Sequence, residues 1–132
     1  MGRKESGVFA DLSRRERQIM DVVYRLGEAT ASEVLNNIPD PPSINAVRRL
    51  IAILEEKGHL EHKWKGPRHV FYPTVPRKTA ARQALDHLKE TFFGGSTAQA
   101  MAALYDHSED RLTEEDILML TELIEKTGEE GR

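Results

Sequence analysis

Two four-residue boxes, Ser13-Arg14-Arg15-Glu16 and Thr30-Ala31-Ser32-Glu33, restrict the fold of this chain more than any other feature. Each is an S/T-x-x-E capping box: the hydroxyl accepts an orphan N–H of the first helical turn, and the glutamate reaches back to the backbone of the cap. Two helices start there. The first carries Ile19, Met20, Val23 and Leu26 on one face and ends at Gly27, the residue type best able to adopt a left-handed cap. The second, Ala31 to about Ile38, is short and presents Val34, Leu35 and Ile38. Pro39-Asp40-Pro41-Pro42 then forbids continuation, and Ser43 caps a third helix that Gly58 closes. Two extended runs follow, "HLEHKWK" and "RHVFYPTV", rich in aromatic and β-branched residues and joined through Lys65-Gly66-Pro67. They predict a β-hairpin, with Pro73 at an edge or strand end. Three short helices and a basic-tipped hairpin are the order of a winged helix-turn-helix domain, whose third helix enters the major groove.

Composition limits what such a domain serves. The chain has 132 residues, 39% hydrophobic and 31% charged, as expected of one globular unit or two small ones. No apolar run approaches the roughly 20 residues that span a bilayer, and "MGRKESGVFADL" has no apolar signal core, so the cytoplasm is the expected compartment. With no cysteine, disulfides, thiol nucleophiles and cysteine metal sites are excluded. The net charge of −3 hides an asymmetry: residues 43–78 hold eight Lys or Arg against three acids, whereas residues from Thr79 onward hold five against twelve. One surface is thus electropositive, and a polyanion is the plain partner for it.

The third helix shows what that surface does. At about 100° per residue, Ile44, Val47, Leu50, Ile51 and Leu54 form a buried stripe. Opposite lie Asn45, Arg49, Ala52 and Glu56, with Arg48 on the flank. Arg and Asn fork onto guanine and adenine edges, and a small Ala lets the backbone approach the groove. Lys63, Lys65, Arg68 and His69 on the hairpin would touch phosphates, which sets affinity but carries no sequence information. Ile53 is out of place on the outer rim, where it packs on a neighbour or meets a thymine methyl.

Taken together, "LSRRERQIMDVVYRLGEATASEVLNNI", "VRRLIAILEEKGHLEHKWKGPRHVFYPTV", "FFGGS" and "LTEEDILMLTELIEK" resemble, in order and spacing, the penicillinase and methicillin-resistance repressor family (BlaI/MecI). The resemblance implies a homodimeric repressor on a palindromic DNA operator, controlling beta-lactam resistance or a stress response, with repression relieved by a membrane sensor-protease or another signal. It matches Ser43, Asn45, Ala46, Arg48 and Arg49 to the family's recognition-helix contacts and Lys65 and Arg68 to its wing. The family often has threonines at the places of Asn45 and Ala46 and a basic residue at that of Ile53, so operator preference does not carry over. The asparagine-phenylalanine bond cut in staphylococcal members has no counterpart in "AQAMAALYDHSEDRLT", and copper sensing through CxC motifs is excluded.

The resulting expectation is a mainly α chain with a small β-hairpin wing. It comprises a flexible tail over residues 1–11, a winged-helix DNA-binding domain over 12–77, a helical dimerisation domain over 78–127 and a flexible tail over 128–132. Helices are expected over Lys78 to Phe93, Ala98 to Tyr105 and Thr113 to Lys126, the last opened by Thr113-Glu114-Glu115-Asp116. Three short helices cannot close a core alone, so Leu85, Leu88, Phe92, Ile117, Leu120 and Ile124 are expected to pair with a second copy, or else to pack on the winged helix. Two other classes compete. A zinc hydrolase built on His59, Glu61, His62 and His69 lacks helical HExxH spacing, and a strand histidine packed with Leu60 and Trp64 explains His62 better. A protein–protein adaptor would expose apolar residues on the third helix, where only Ile53 qualifies. No catalytic residue, metal or cofactor is therefore assigned.

Overall fold

The computed structural model describes residues 11–107 and 111–130, the last two by backbone alone. The tails expected at residues 1–11 and 128–132 fall in part outside these, at residues 1–10 and 131–132. Chain contacts divide the protein into two compact units, residues 1–95 and 96–132.

The first unit begins with α1 (Arg14–Leu26) and α2 (Ala31–Asn36), each opened by the capping box expected of it. Ser13 Oγ accepts from the Glu16 amide at 3.2 Å while the Glu16 carboxylate accepts from the Ser13 amide at 2.9 Å. Thr30 and Glu33 repeat the exchange. Gly27 ends α1 at φ +88°, a conformation that a side chain would strain. The proline-rich turn after α2 places Asp40 at φ +50°, and Arg15 pins it by donating to the carbonyls of Pro39 and Asp40. Ser43 then caps α3 (Ile44–Glu56) by accepting from the Ala46 amide at 3.1 Å.

The hairpin is β1 (Leu60–Lys65) and β2 (Arg68–Pro73), antiparallel with Lys65 opposite Arg68. Its two-residue turn puts Gly66 first at φ +64°, with Pro67 second, the glycine-first pattern that matches strand twist. Ala29 exchanges two backbone hydrogen bonds with Phe71, at 2.9 and 2.8 Å, and so adds one more rung beside β2.

The core is formed by Ile19, Met20, Val22, Val23, Ala29, Val34, Ile38, Val47, Ile51, Leu54, Leu60 and Phe71. Burying a side chain such as Ile51 or Leu54 contributes about 1.5–3 kcal/mol, so the inner stripe of α3 alone anchors that helix firmly. Three sequence expectations are corrected. Leu26 is 45% exposed, and Val22 takes its place, because α1 packs against α2, α3 and β2 and buries a broad arc and not one stripe. Leu50 is only half-buried on the margin of the core. Trp64, expected to pack beside Leu60, is 66% exposed at the far end of β1.

The last helix of this unit, α4 (Arg77–Phe93), is tied to α1 and the hairpin's exit at its start. Arg77 donates to the Tyr24 carbonyl at 2.8 Å, the Tyr24 hydroxyl donates to the Val75 carbonyl at 2.8 Å, and Ala80 is buried. Beyond Ala80 nothing on α4 is buried, and Gly94 in the left-handed region ends it.

The second unit holds α5 (Thr97–His107) and α6 (Glu114–Glu130), the latter opened by a reciprocal Thr113–Asp116 pair and longer than expected. No described residue of this unit is buried. Its helices carry Leu104, Ile117, Leu118, Met119, Leu123 and Ile124 in the open, so its described residues close no core of their own.

Candidate nucleic-acid interface

Because Val47, Ile51 and Leu54 are fully buried, the opposite side of α3 must face outward. Asn45, Arg48, Arg49, Ala52 and Glu56 all lie exposed there, as the periodicity requires. Ser43 spends its hydroxyl on the cap, and Ala46 and Ile53 are half-buried at the edges of the face. Among the described residues, neither Arg48 nor Arg49 is engaged by any carboxylate. Two guanidinium forks and one amide therefore stand ready beside a small Ala, the set that suits base edges in a major groove.

The hairpin has two chemically distinct faces, which the register defines. One face pairs Leu60 with Pro73, His62 with Phe71 and Trp64 with His69; the other pairs Glu61 with Tyr72, Lys63 with Val70 and Lys65 with Arg68. On the first, His69 lies between two aromatic neighbours, its ring centroid 4.0 Å from Trp64 and 4.4 Å from His62. The His62 imidazole in turn meets the Glu55 carboxylate of α3. An open groove runs here between helix and hairpin, lined by Thr30 and Ser32 at the start of α2, by Arg48, Ala52 and Glu55, and by Trp64, Arg68 and His69. The groove brings two arginines, two hydroxyls and an exposed indole together with the Glu55 carboxylate, and its cations are of the kind that neutralise phosphates.

The second face is already occupied. Glu28 pairs with Lys63 at 3.0 Å and with Lys65 at 2.9 Å, and the hydrogen bonds from Lys65 and Lys63 hold its carboxyl below the ordinary glutamate range. The same carboxylate raises the Lys65 ammonium. The four wing residues read from the sequence are thus separated: His69 belongs to the groove face, Arg68 borders it without an ion pair among the described residues, and Lys63 and Lys65 share one carboxylate on the other side. Trp64, read from the sequence as packing beside Leu60, instead lines this groove as an exposed indole. Its place near the turn, where strands leave the core, was the available signal.

His62 and His69 stand side by side, but His59 and Glu61 do not join them. His59 meets Asp11 at 2.9 Å, whereas His62 meets Glu55, and among the described residues no three His, Asp or Glu side chains cluster as a metal site. No described helix is long and apolar enough to cross a membrane.

A model of the penicillinase repressor family matches residues 12–126. Among curated proteins, an uncharacterized 16.5 kDa protein in the ptsI 3' region of Latilactobacillus sakei is 28% identical over 116 residues, which covers 86% of this chain and 78% of that protein. Among solved structures, the DNA-binding domain of the repressor BlaI aligns with TM-score 0.46 at 21% identity, over 52% of this chain and 87% of that one. Lactococcus lactis ZitR in complex with DNA aligns with TM-score 0.47 at 15% identity, over 98% of this chain and 82% of that one.

Proposed function

The chain belongs to the penicillinase repressor family, a family of DNA-binding transcriptional repressors and not of enzymes, and on that premise we propose that it acts as a homodimer on an inverted-repeat operator. The observation that carries the reading is the outer face of α3: exposed Arg48 and Arg49, without an ion pair among the described residues, with Asn45 and Ala52, directly behind a fully buried Val47–Ile51–Leu54 stripe. Such a helix presents its polar face rigidly, so base contacts are not lost to backbone freedom. Arg49 and Asn45 read base edges, Arg48 and Arg68 flank a phosphate strand in the groove, and Trp64 packs on its sugars.

The homodimer rests on a different observation. On α4, Leu85 and Phe92 are 61% and 71% exposed, and Leu88 is also exposed. On α6, Ile117 and Ile124 are exposed and Leu120 is half-buried. Exposed apolar faces of this extent mark interaction surfaces, and a two-fold partner covers each with its own copy. In this reading a membrane sensor-protease or another signal relieves repression: a membrane metalloprotease gene beside this one favours the protease, and its absence favours a ligand or constitutive repression.

Fluorescence anisotropy on genomic fragments at rising salt tests the reading. Phosphate-dominated binding weakens with a log–log slope of about −0.9 per phosphate contacted. Salt-insensitive binding, or none, would return the chain to the adaptor class.

A further inference from the structure

The two lysines of the hairpin's outer face raise a question that the DNA reading does not answer: why does the protein cover them? Glu28 sits in the short connection between α1 and α2, fixed on one side by the Gly27 cap and on the other by the double hydrogen bond of Ala29 to Phe71. From that fixed point its side chain reaches past β2 to β1. Each carboxylate oxygen takes one ammonium, Oε1 from Lys63 and Oε2 from Lys65. Two exposed cations are thus gathered on one anion of the same chain, in the manner in which a phosphate would gather them. Arg48, Arg49 and Arg68, by contrast, have no ion pair among the described residues, although they share the electropositive segment. The pairing covers two wing cations, Lys63 and Lys65, and leaves Arg68 of the wing and both arginines of α3 outside it among the described residues.

We propose that Glu28 is a specificity-determining residue, an internal stand-in for phosphate that withholds Lys63 and Lys65 from DNA of arbitrary sequence. The inference rests on the DNA reading above. Exposed pairs of this kind are weak, each worth a factor of about five at most, so a duplex seated firmly on α3 displaces Glu28 with little loss. A duplex held only by loose phosphate contacts does not present oxygens at the right place for both lysines at once. The clamp therefore lowers binding to random sequence more than binding to a site that α3 has already read. Because non-specific binding is almost wholly electrostatic, removing two cations from it is an effective way to raise the ratio of specific to non-specific binding.

The test uses the full chain, a random-sequence duplex of about 30 bp as probe, and anisotropy at several salt concentrations. E28Q keeps the size and polarity of the side chain, and an unchanged melting temperature establishes that the fold is intact. The expected result is random-duplex binding about three- to tenfold tighter than wild type at low salt, a salt slope steeper by about one to two, and convergence of the two proteins at high salt. In a Lys63→Gln/Lys65→Gln background E28Q should change nothing. Equal affinities for wild type and E28Q would overturn the clamp while leaving the DNA reading in place. The same tightening in the double-glutamine background would also overturn it, since Glu28 would then repel DNA directly. Failure of both proteins to bind any duplex would overturn the DNA reading and the clamp with it.

Discussion

Glu16 is the one buried charged side chain among the described residues, 5% exposed, and its replacement should show how the first unit is held together. Its Oε1 accepts from the Ser13 amide and from Lys57 Nζ, both at 2.9 Å, and so ties the start of α1 to the residue that ends α3. Burial by itself would raise its pKa, but the Ser13 hydrogen bond and the Lys57 ammonium outweigh burial and hold it below the ordinary glutamate value. Glu16→Ala leaves the Ser13 amide and the Lys57 ammonium without their acceptor. Charged hydrogen bonds contribute about 1.5–3 kcal/mol, and Lys57 is one-third exposed and can rehydrate, so a loss of about 2–3 kcal/mol follows. For a unit of this size that is a fall in Tm of roughly 10–20 °C. Glu16→Gln retains an acceptor for Ser13 and should lose about 1–2 kcal/mol. The sign with pH follows from the depressed carboxyl: the charge contributes fully above the unfolded pKa of about 4.5 and is lost as pH falls through the lower folded value. Urea unfolding at pH 7 and again near pH 3 should therefore show the gap between wild type and Glu16→Gln narrowing toward zero. A gap that stays constant, or a Glu16→Ala loss below about 0.5 kcal/mol, would refute the reasoning.

Other expectations follow from the same geometry. Arg49→Ala should cost about 1–3 kcal/mol on a preferred site and much less on random duplex, as measured by paired titrations, because a base-edge contact and not a phosphate contact is lost. Trp64→Ala should weaken binding to all duplexes alike, by a factor of roughly three, while leaving the melting temperature within about a degree or two, since the indole meets the sugar–phosphate strand and not a base and is mostly exposed. A melting temperature that falls sharply would place the indole back in the core. Leu88→Glu with Phe92→Glu should raise the dimer dissociation constant tenfold or more, each 1.4 kcal/mol being about a factor of ten, without altering monomer stability; sedimentation velocity across a dilution series reads both forms.

What the sequence disclosed and what it hid divide along the range of the interactions. The caps at Ser13, Thr30, Ser43 and Thr113 act over three residues, so their pattern is written locally and all four form. The hairpin register follows from the two-residue turn at Gly66 and Pro67 and from the alternation around it. The outer face of α3 was legible because period fixes which side of an anchored helix faces out. By contrast, Glu16 meets Lys57 and Glu28 meets Lys65 across 41 and 37 positions, and nothing local marks such partners. Trp64 was misread because alternation gives the side of a strand but not the point along it where the core ends. Leu26 and Val22 exchanged roles because one helix packed by three elements buries more than a stripe.

The most direct measurement of the central claim is selection of duplexes from a random library by the full chain, followed by sequencing. A homodimer reading DNA through α3 predicts one enriched motif that is an inverted repeat, its half-site centres about 10 bp apart or a multiple of that, and an Arg48→Ala/Arg49→Ala chain that enriches none. Failure of the intact chain to enrich any sequence, or enrichment of a motif that the double variant recovers equally well, would contradict the assignment of α3 as the reading helix.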